Sequence, residues 1–457
     1  MRKIQRFRSS KIQAGRLPVS ESILFRAVRG WGRGAVCRVI CLMWLCCACV
    51  AAQEGDIRRP LAYRAYMERV QRQNPGYAAE QLGVSVAEAE LKAAHVFNDF
   101  TFGVEYADND ERHKQMGRSV SAELSRTFSP GKRSARIDLA RSEKELNGAL
   151  LEDYFHTLRA EATLAYLHAL ARQELCRIRQ RAFDHMHQLA GADSIRFHLG
   201  EIAQIDATRS SLEAGIMYNE LIRAQSELHD ACLALALWTG DGDSRAVHVP
   251  QGQLRVDGRA FDLDELLETA VANRADLAAA MRSVDVAAKA LTVARRERNV
   301  DFDVALGYSH NTRVRNEIAP APQFNGVTLG VAIPLKLSNL NRGAVSAAGY
   351  RLRQAEINRR RAEQEVRNGV MQRYARYGAA LAQVRNYDRG LLQQAEAVIE
   401  GKRYSYRRGE TSLLEVLDAQ RTYDDLQAGY VETVYDCIVS LVELERSAAI
   451  WDLRIGE

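Results

Sequence analysis

The sequence predicts an α+β, mainly α-helical chain, with long antiparallel coiled-coil helices and two β-hairpins. Three observations carry that reading. One plan is written twice, over about 60–240 and about 261–455. Each copy holds two runs in which apolar and polar residues alternate, the period of a strand with one apolar face. Each then passes into a long apolar seam with spacings of four and three, the signature of coiled-coil packing.

Composition agrees. Eight prolines in 457 residues are few, and Ala, Leu, Glu, Arg and Gln dominate after residue 130, which favours long helices. The formal charge of +5 comes from the N-terminus: residues 1–52 hold ten Lys/Arg and one Glu, or +9, leaving 5 − 9 = −4 for the rest. A nucleic-acid partner therefore lacks its electrostatic basis.

Residues 1–52 read as a signal peptide: a basic segment, the fourteen-residue apolar run VICLMWLCCACVAA (39–52), then Val50-Ala51-Ala52 before Gln53. The run is short for a spanning helix. Cleavage after Ala52 fits better than lipid attachment at Cys49, because Cys46 and Cys47 suit the preceding positions poorly. The long basic segment leaves open a misassigned start codon or an uncleaved anchor. Five of eight cysteines lie here. The other three, Cys176, Cys232 and Cys437, sit on apolar helical seams, so core packing is expected rather than disulfides or reactivity.

Residues 53–457 form a single domain of two repeats joined by a surface linker at 241–260. Each repeat opens with a broken amphipathic helix, LAYRAYMERVQRQNPGYAAEQ (61–81) and LDELLETAVANRADLAAAMR (263–282). Strands follow at about 98–108 and 118–128, then at about 300–310 and 326–336. Phe100, Phe102, Val104 and Tyr106 share a face opposite Thr101, Gly103 and Glu105; Val120, Ala122, Leu124 and Phe128 do the same, with Arg126 interrupting the apolar row. Phe302, Val304, Leu306 and Tyr308, and then Val327, Leu329, Val331, Ile333 and Leu335, repeat the pattern. About ten residues with a two-residue period is the dimension of an outer-membrane barrel strand. Pro130-Gly131 and Pro334 with Gly343 mark the change from strand to helix.

The seams follow: Leu151, Phe155, Leu158, Ala162, Ala165, Ala169 and Cys176, and Val370, Tyr374, Tyr377, Leu381, Val384, Leu391, Ala395 and Val398. Helices of that extent reach on the order of 85 to 90 Å. Each turns back near a glycine, in RFHLGEIAQIDATRSSLE (196–213) and SYRRGETSLLEVLDAQRTYD (405–424). Four strands leave open edges that lipid cannot satisfy, so several chains must share a barrel, and three would supply twelve strands.

The duplicated order, the two tip turns and the strands resemble the outer-membrane efflux proteins, or TolC-like channel-tunnel proteins, over essentially all of 60–455. The resemblance implies a homotrimeric 12-stranded outer-membrane barrel continued by a periplasmic helical tunnel. It also implies partners: a periplasmic adaptor (membrane fusion) protein and an inner-membrane efflux pump or ABC exporter. The function implied is a passive exit duct for a tripartite efflux or type I secretion system, not an enzyme, with cargo set largely by the pump. The pore constriction maps onto Glu415 and Asp418, and the periplasmic gate onto Asp206, Tyr406 and Thr411, where threonine replaces the family's arginine. Adaptor contacts map onto Gly200, Glu201, Gly409 and Glu410, whose two glycines helix-stop chemistry explains equally well.

No catalytic constellation, cofactor loop or metal-site spacing is present. His185 and His187 are two apart and diverge on a helix, and Arg359-Arg360-Arg361 reads as a solvated face. A periplasmic coiled-coil adaptor or spacer would account for the seams and acids without a pore. It would have no use for strands with an apolar outer face.

Overall fold

The computed structural model describes residues 57–452, apart from 112–113, 241–245, 257 and 336–339. The signal-peptide expectation lies outside the described residues. The compact unit Arg58–Glu457 contains the fold.

In the first repeat, β1 (Ile57–Ala62) leads into α1 (Tyr63–Gln73) and α2 (Pro75–Ala94). Asn74 separates the two helices: its side chain caps α2 by accepting from Tyr77 N, and Pro75 stands at the first helical position, where its missing N–H costs nothing. Next come β2 (Thr101–Asp108), β3 (Arg118–Phe128), the 67-residue α3 (Lys132–His198) and the return helix α4 (Gln204–Thr239). The second repeat runs α5 (Leu263–Asn273), α6 (Ala275–Arg296), β5 (Phe302–Asn311), β6 (Phe324–Ala332), α7 (Arg342–Asn386), a π-helical turn (Tyr387–Leu391), α8 (Leu392–Arg407) and α9 (Leu413–Ser447).

The segment expected to be a surface linker is not one. Its residues Ala246–Gln251 form β4, which pairs with β1. Val247 and His248 are buried. The Tyr166 hydroxyl lies 2.8 Å from Leu61 O and 2.7 Å from Gln251 O, so one phenol on α3 ties both strands to the helices. Six residues with a proline had masked a strand short enough to be satisfied by one partner strand and one side chain.

The long helix of the second repeat is also not continuous. Gly390 has φ of 107° inside the π turn, a left-handed conformation that glycine adopts without Cβ penalty. The turn shifts the seam by one position: Val398, expected inside, is 54% exposed, whereas Ile399 is 1% exposed. Before the turn the expected Val370, Tyr377, Leu381 and Val384 are buried, packed with Val434, Cys437 and Leu441 of α9.

The four hairpin strands form one antiparallel sheet in the order β2-β3-β5-β6. Its register aligns rows across all four strands. Phe102, Leu124, Leu306 and Leu329 make one row, and Val104, Ala122, Tyr308 and Val327 the next. The opposite face carries Gly103, Glu123, Gly307 and Thr328, then Glu105, Ser121, Ser309 and Gly326. The apolar rows lie open, with Phe102 68% and Leu329 75% exposed, and β2 and β6 are free edges within the sheet.

Candidate functional site: the paired helical tips

Both long helices end in the same way. Gly200 has φ of 80° and Gly409 of 77°. Gly200 N donates to Phe197 O and Glu201 N to Arg196 O; Gly409 N donates to Tyr406 O and Glu410 N to Ser405 O. This paired bonding is the Schellman motif, which satisfies carbonyls that a helix end leaves over. Four residues after each glycine the return helix begins, at Gln204 and at Leu413.

The start of α9 is capped by Ser412. Ser412 accepts from Glu415 N, and Glu415 three residues on bends back so that the Ser412 and Thr411 hydroxyls donate to it, at 3.4 and 2.7 Å. Lys402 Nζ of α8 lies 2.5 Å from the same carboxylate. Led by the Lys402 hydrogen bond, these donors lower the Glu415 pKa to about 2. Glu415 and Asp418 do line one exposed groove between α8 and α9. Asp418 makes no side-chain hydrogen bond or ion pair among the described residues and feels only the more distant charge of Arg421, so the two acids differ: Glu415 is directly paired, Asp418 is not.

Tyr406, at the end of α8, is 7% exposed. Its hydroxyl donates not to Asp206 but to Asp193 Oδ1 of α3, at 2.9 Å. Asp193 is fully buried, and its Oδ2 has no hydrogen-bond partner of good geometry; the neighbouring Ser210 hydroxyl donates to Ala207 O while lying close enough to lower the Asp193 pKa. Arg196 approaches Oδ1 at 3.8 Å and lies over the Tyr406 ring with 5.2 Å to its centroid. Burial raises the Asp193 pKa, against the opposing pull of Tyr406, Ser210 and Arg196, while Asp206 adds to the rise. The nearest cation to this pair comes from α3, and the same Arg196 also holds Glu201 at 3.3 Å. Asp206 stands near the cluster without a side-chain hydrogen bond or ion pair among the described residues. Arg407 Nε and Arg408 turn elsewhere, to Arg403 O and to Glu410.

Asp193 was legible and was missed. Ala182, Met186, Leu189 and Asp193 continue the four-three spacing of α3, so an acid occupies a seam position and had to find a buried partner. Around it Met186, Ile399, Leu413, Val416 and Leu417 form the apolar core of the tip, which joins both helical hairpins of the chain. The first tip also exposes Ile195, Leu199 and Ile205.

The Outer membrane efflux protein family profile matches residues 266–449. The chain is 27% identical over 303 residues to the cobalt-zinc-cadmium resistance protein CzcC of Cupriavidus metallidurans, covering 66% of this chain and 70% of that one. It is 22% identical over 320 residues to outer membrane protein TolC of Vibrio cholerae, covering 69% and 70%. Among solved structures, the outer membrane protein VceC of Vibrio cholerae superposes with a TM-score of 0.68 at 16% identity, covering 84% of this chain and 95% of that one.

Proposed function

We propose, from the premise that the chain belongs to the outer-membrane efflux protein family, that three copies close one 12-stranded barrel and continue it as a helical tunnel into the periplasm. The protein is an outer-membrane channel and not an enzyme; it is the exit duct of a tripartite efflux system, working with an adaptor and an inner-membrane pump. The observation that carries the trimer is the four-stranded sheet. Its apolar face is exposed, its other face is small and polar, and both edges are free. Edges of that kind persist in lipid only when paired with another copy.

Within this duct Tyr406, Asp193 and Arg196 link the two helical hairpins of each protomer at the periplasmic entrance, and Asp206 tunes that cluster electrostatically. Asp418 faces the lumen as an acid without a direct partner, with Glu415 beside it held by Lys402. The tip turns at Gly200-Glu201 and Gly409-Glu410 offer the adaptor its docking points. The apolar rows of the sheet argue against a pore-free adaptor or spacer, which would have no lipid to meet.

The test is purified protein in a planar bilayer. Conductance from crosslinkable trimers supports the duct, and well-folded protein that never conducts overturns it. Asp418→Ala is expected to reduce cation selectivity more than Glu415→Ala, and selectivity unaffected by either change would remove both from the pore.

A further inference from the structure

Arg126 breaks the outward apolar row of β3, between Leu124 and Phe128. It lies at the end of the sheet where the strands join the helices. Its guanidinium is surrounded by aromatic rings: Cζ stands 4.7 Å from the Phe100 centroid, 5.4 Å from Phe97 and 5.6 Å from Phe128. Phe97 holds a second cation on its ring, Arg133 of the first turn of α3, at 3.9 Å. Phe128 in turn stacks on Phe302 of β5 at 5.4 Å.

The backbone satisfies only part of each guanidinium. Arg126 Nε donates to Asn98 O, and Arg133 Nε and one Nη donate to His95 O. Both terminal nitrogens of Arg126 and one of Arg133 have no acceptor among the described residues, and neither arginine has a carboxylate partner there. The other rim of the sheet is built differently: Arg118 at the hairpin end is neutralised by Asp108 and Asp110, at 3.0 and 3.7 Å. Cation–π contacts orient a guanidinium but do not cancel its charge. Phe97 and Phe100 are each 61% exposed, so the rings offer apolar surface beside the unpaired donors.

We propose that Arg126 and Arg133, framed by Phe97, Phe100 and Phe128, bind the phosphate of an anionic phospholipid in the leaflet on the helical side of the membrane. The rings take the start of the acyl chains, and the two guanidinium groups take the phosphodiester, for which arginine's planar fork is suited. The occupant is lipid rather than free phosphate because the donors border a continuous apolar sheet face, which a soluble anion could not use. This inference rests on the barrel reading above.

The experiment places the full-length protein in nanodiscs of phosphatidylcholine with a minor fraction of phosphatidylglycerol and measures enrichment of the anionic lipid around the protein by native mass spectrometry. The wild type is expected to enrich it. Arg126→Gln or Arg133→Gln should each lower the enrichment roughly fivefold, and the double variant roughly 25-fold, the effect of about one interfacial charge each. Arg126→Lys, keeping charge without the fork, should fall between wild type and Arg126→Gln. Arg118→Gln, at the other rim, should change nothing. Excess inorganic phosphate should fail to displace the lipid; displacement would mean a free-anion site and overturn the lipid assignment. If the protein inserts and conducts but wild type and double variant enrich equally, the site is wrong and the barrel stands. If the protein neither inserts nor conducts, the barrel reading itself fails.

Discussion

Removing one oxygen atom, by Tyr406→Phe, separates two accounts of the periplasmic entrance. The hydroxyl donates to the buried Asp193 at 2.9 Å, and Asp193 already has one oxygen without a partner. Phenylalanine keeps the ring in the tip core, so the loss is one hydrogen bond to an acidic group, worth about 1.5 to 3 kcal/mol. Taking about 2 kcal/mol, an equilibrium between joined and separated hairpins moves roughly thirtyfold, read as open probability in single-channel recording. Asp193→Ala should open the channel similarly, and a double variant should cost far less than the sum, because both changes delete one contact. Asp193→Asn keeps the acceptor and removes the buried charge, so closure should survive. Acid should also favour closure. Burial raises the Asp193 pKa above its ordinary 3.8, so the joined tip binds the proton more tightly than the separated one. That contribution is complete below the ordinary value and is lost as pH rises through the raised one. If Tyr406→Phe leaves open probability unchanged while Asp206→Ala raises it, Asp206 is the partner and the cluster described here is not the latch.

At the second tip, Glu415 behaves oppositely with pH: its pKa is lowered to about 2, so its contribution is present above its ordinary 4.5 and drains away as pH falls towards 2. Limited proteolysis at the Arg407–Ser412 turn should quicken over that range, and Lys402→Met should reproduce much of the effect at neutral pH; equal cleavage at all pH values would remove the Glu415 contacts from tip stability. Gly200→Ala and Gly409→Ala force a side chain into positive φ with no steric contact within 4 Å, so each should cost about 1 to 2 kcal/mol from backbone conformation alone, visible as lower thermal stability with the adaptor absent. Arg259 reaches the wholly buried Glu445 at 3.5 Å, and Arg259→Met should lower the melting temperature by leaving that carboxylate without its arginine; an unchanged melting temperature would show the pair to be idle.

The sequence made the repeated order legible because each element advertises its period. Rows such as Phe102, Val104 and Tyr106 must alternate to face one environment, and seams such as Val370, Tyr377, Leu381 and Val384 must keep fours and threes to stay buried. What it hid lies where period fails to report geometry. Ala246–Gln251 is only six residues long and carries Pro250, so it does not stand out, yet one partner strand and Tyr166 satisfy it. Gly390 inserts a π turn that moves the buried position from Val398 to Ile399, and a helical wheel drawn through the turn has no means of seeing the slip. At the tips, the resemblance singled out Tyr406 and the return-helix acid Asp206, while packing gives the Tyr406 hydroxyl to Asp193 of the outgoing helix.

That substitution of partners follows from the duplication itself. The two tips share a backbone solution, the same Schellman bonds and the same four-residue step to the return helix, so divergence has been left to the side chains. The second tip secures its own turn with Ser412, Glu415 and Lys402. The first begins at Ala203, which offers no side-chain cap; Arg196 holds Glu201 of its own turn at 3.3 Å, lies over the Tyr406 ring, and Asp193 accepts from Tyr406 of the other repeat. Both tips therefore carry an ion pair of their own, and the first adds a buried acid that reaches its neighbour. A pair of identical self-contained turns could stand side by side without any link; unequal side chains on an equal frame give the two hairpins of one chain a buried polar contact that joins them.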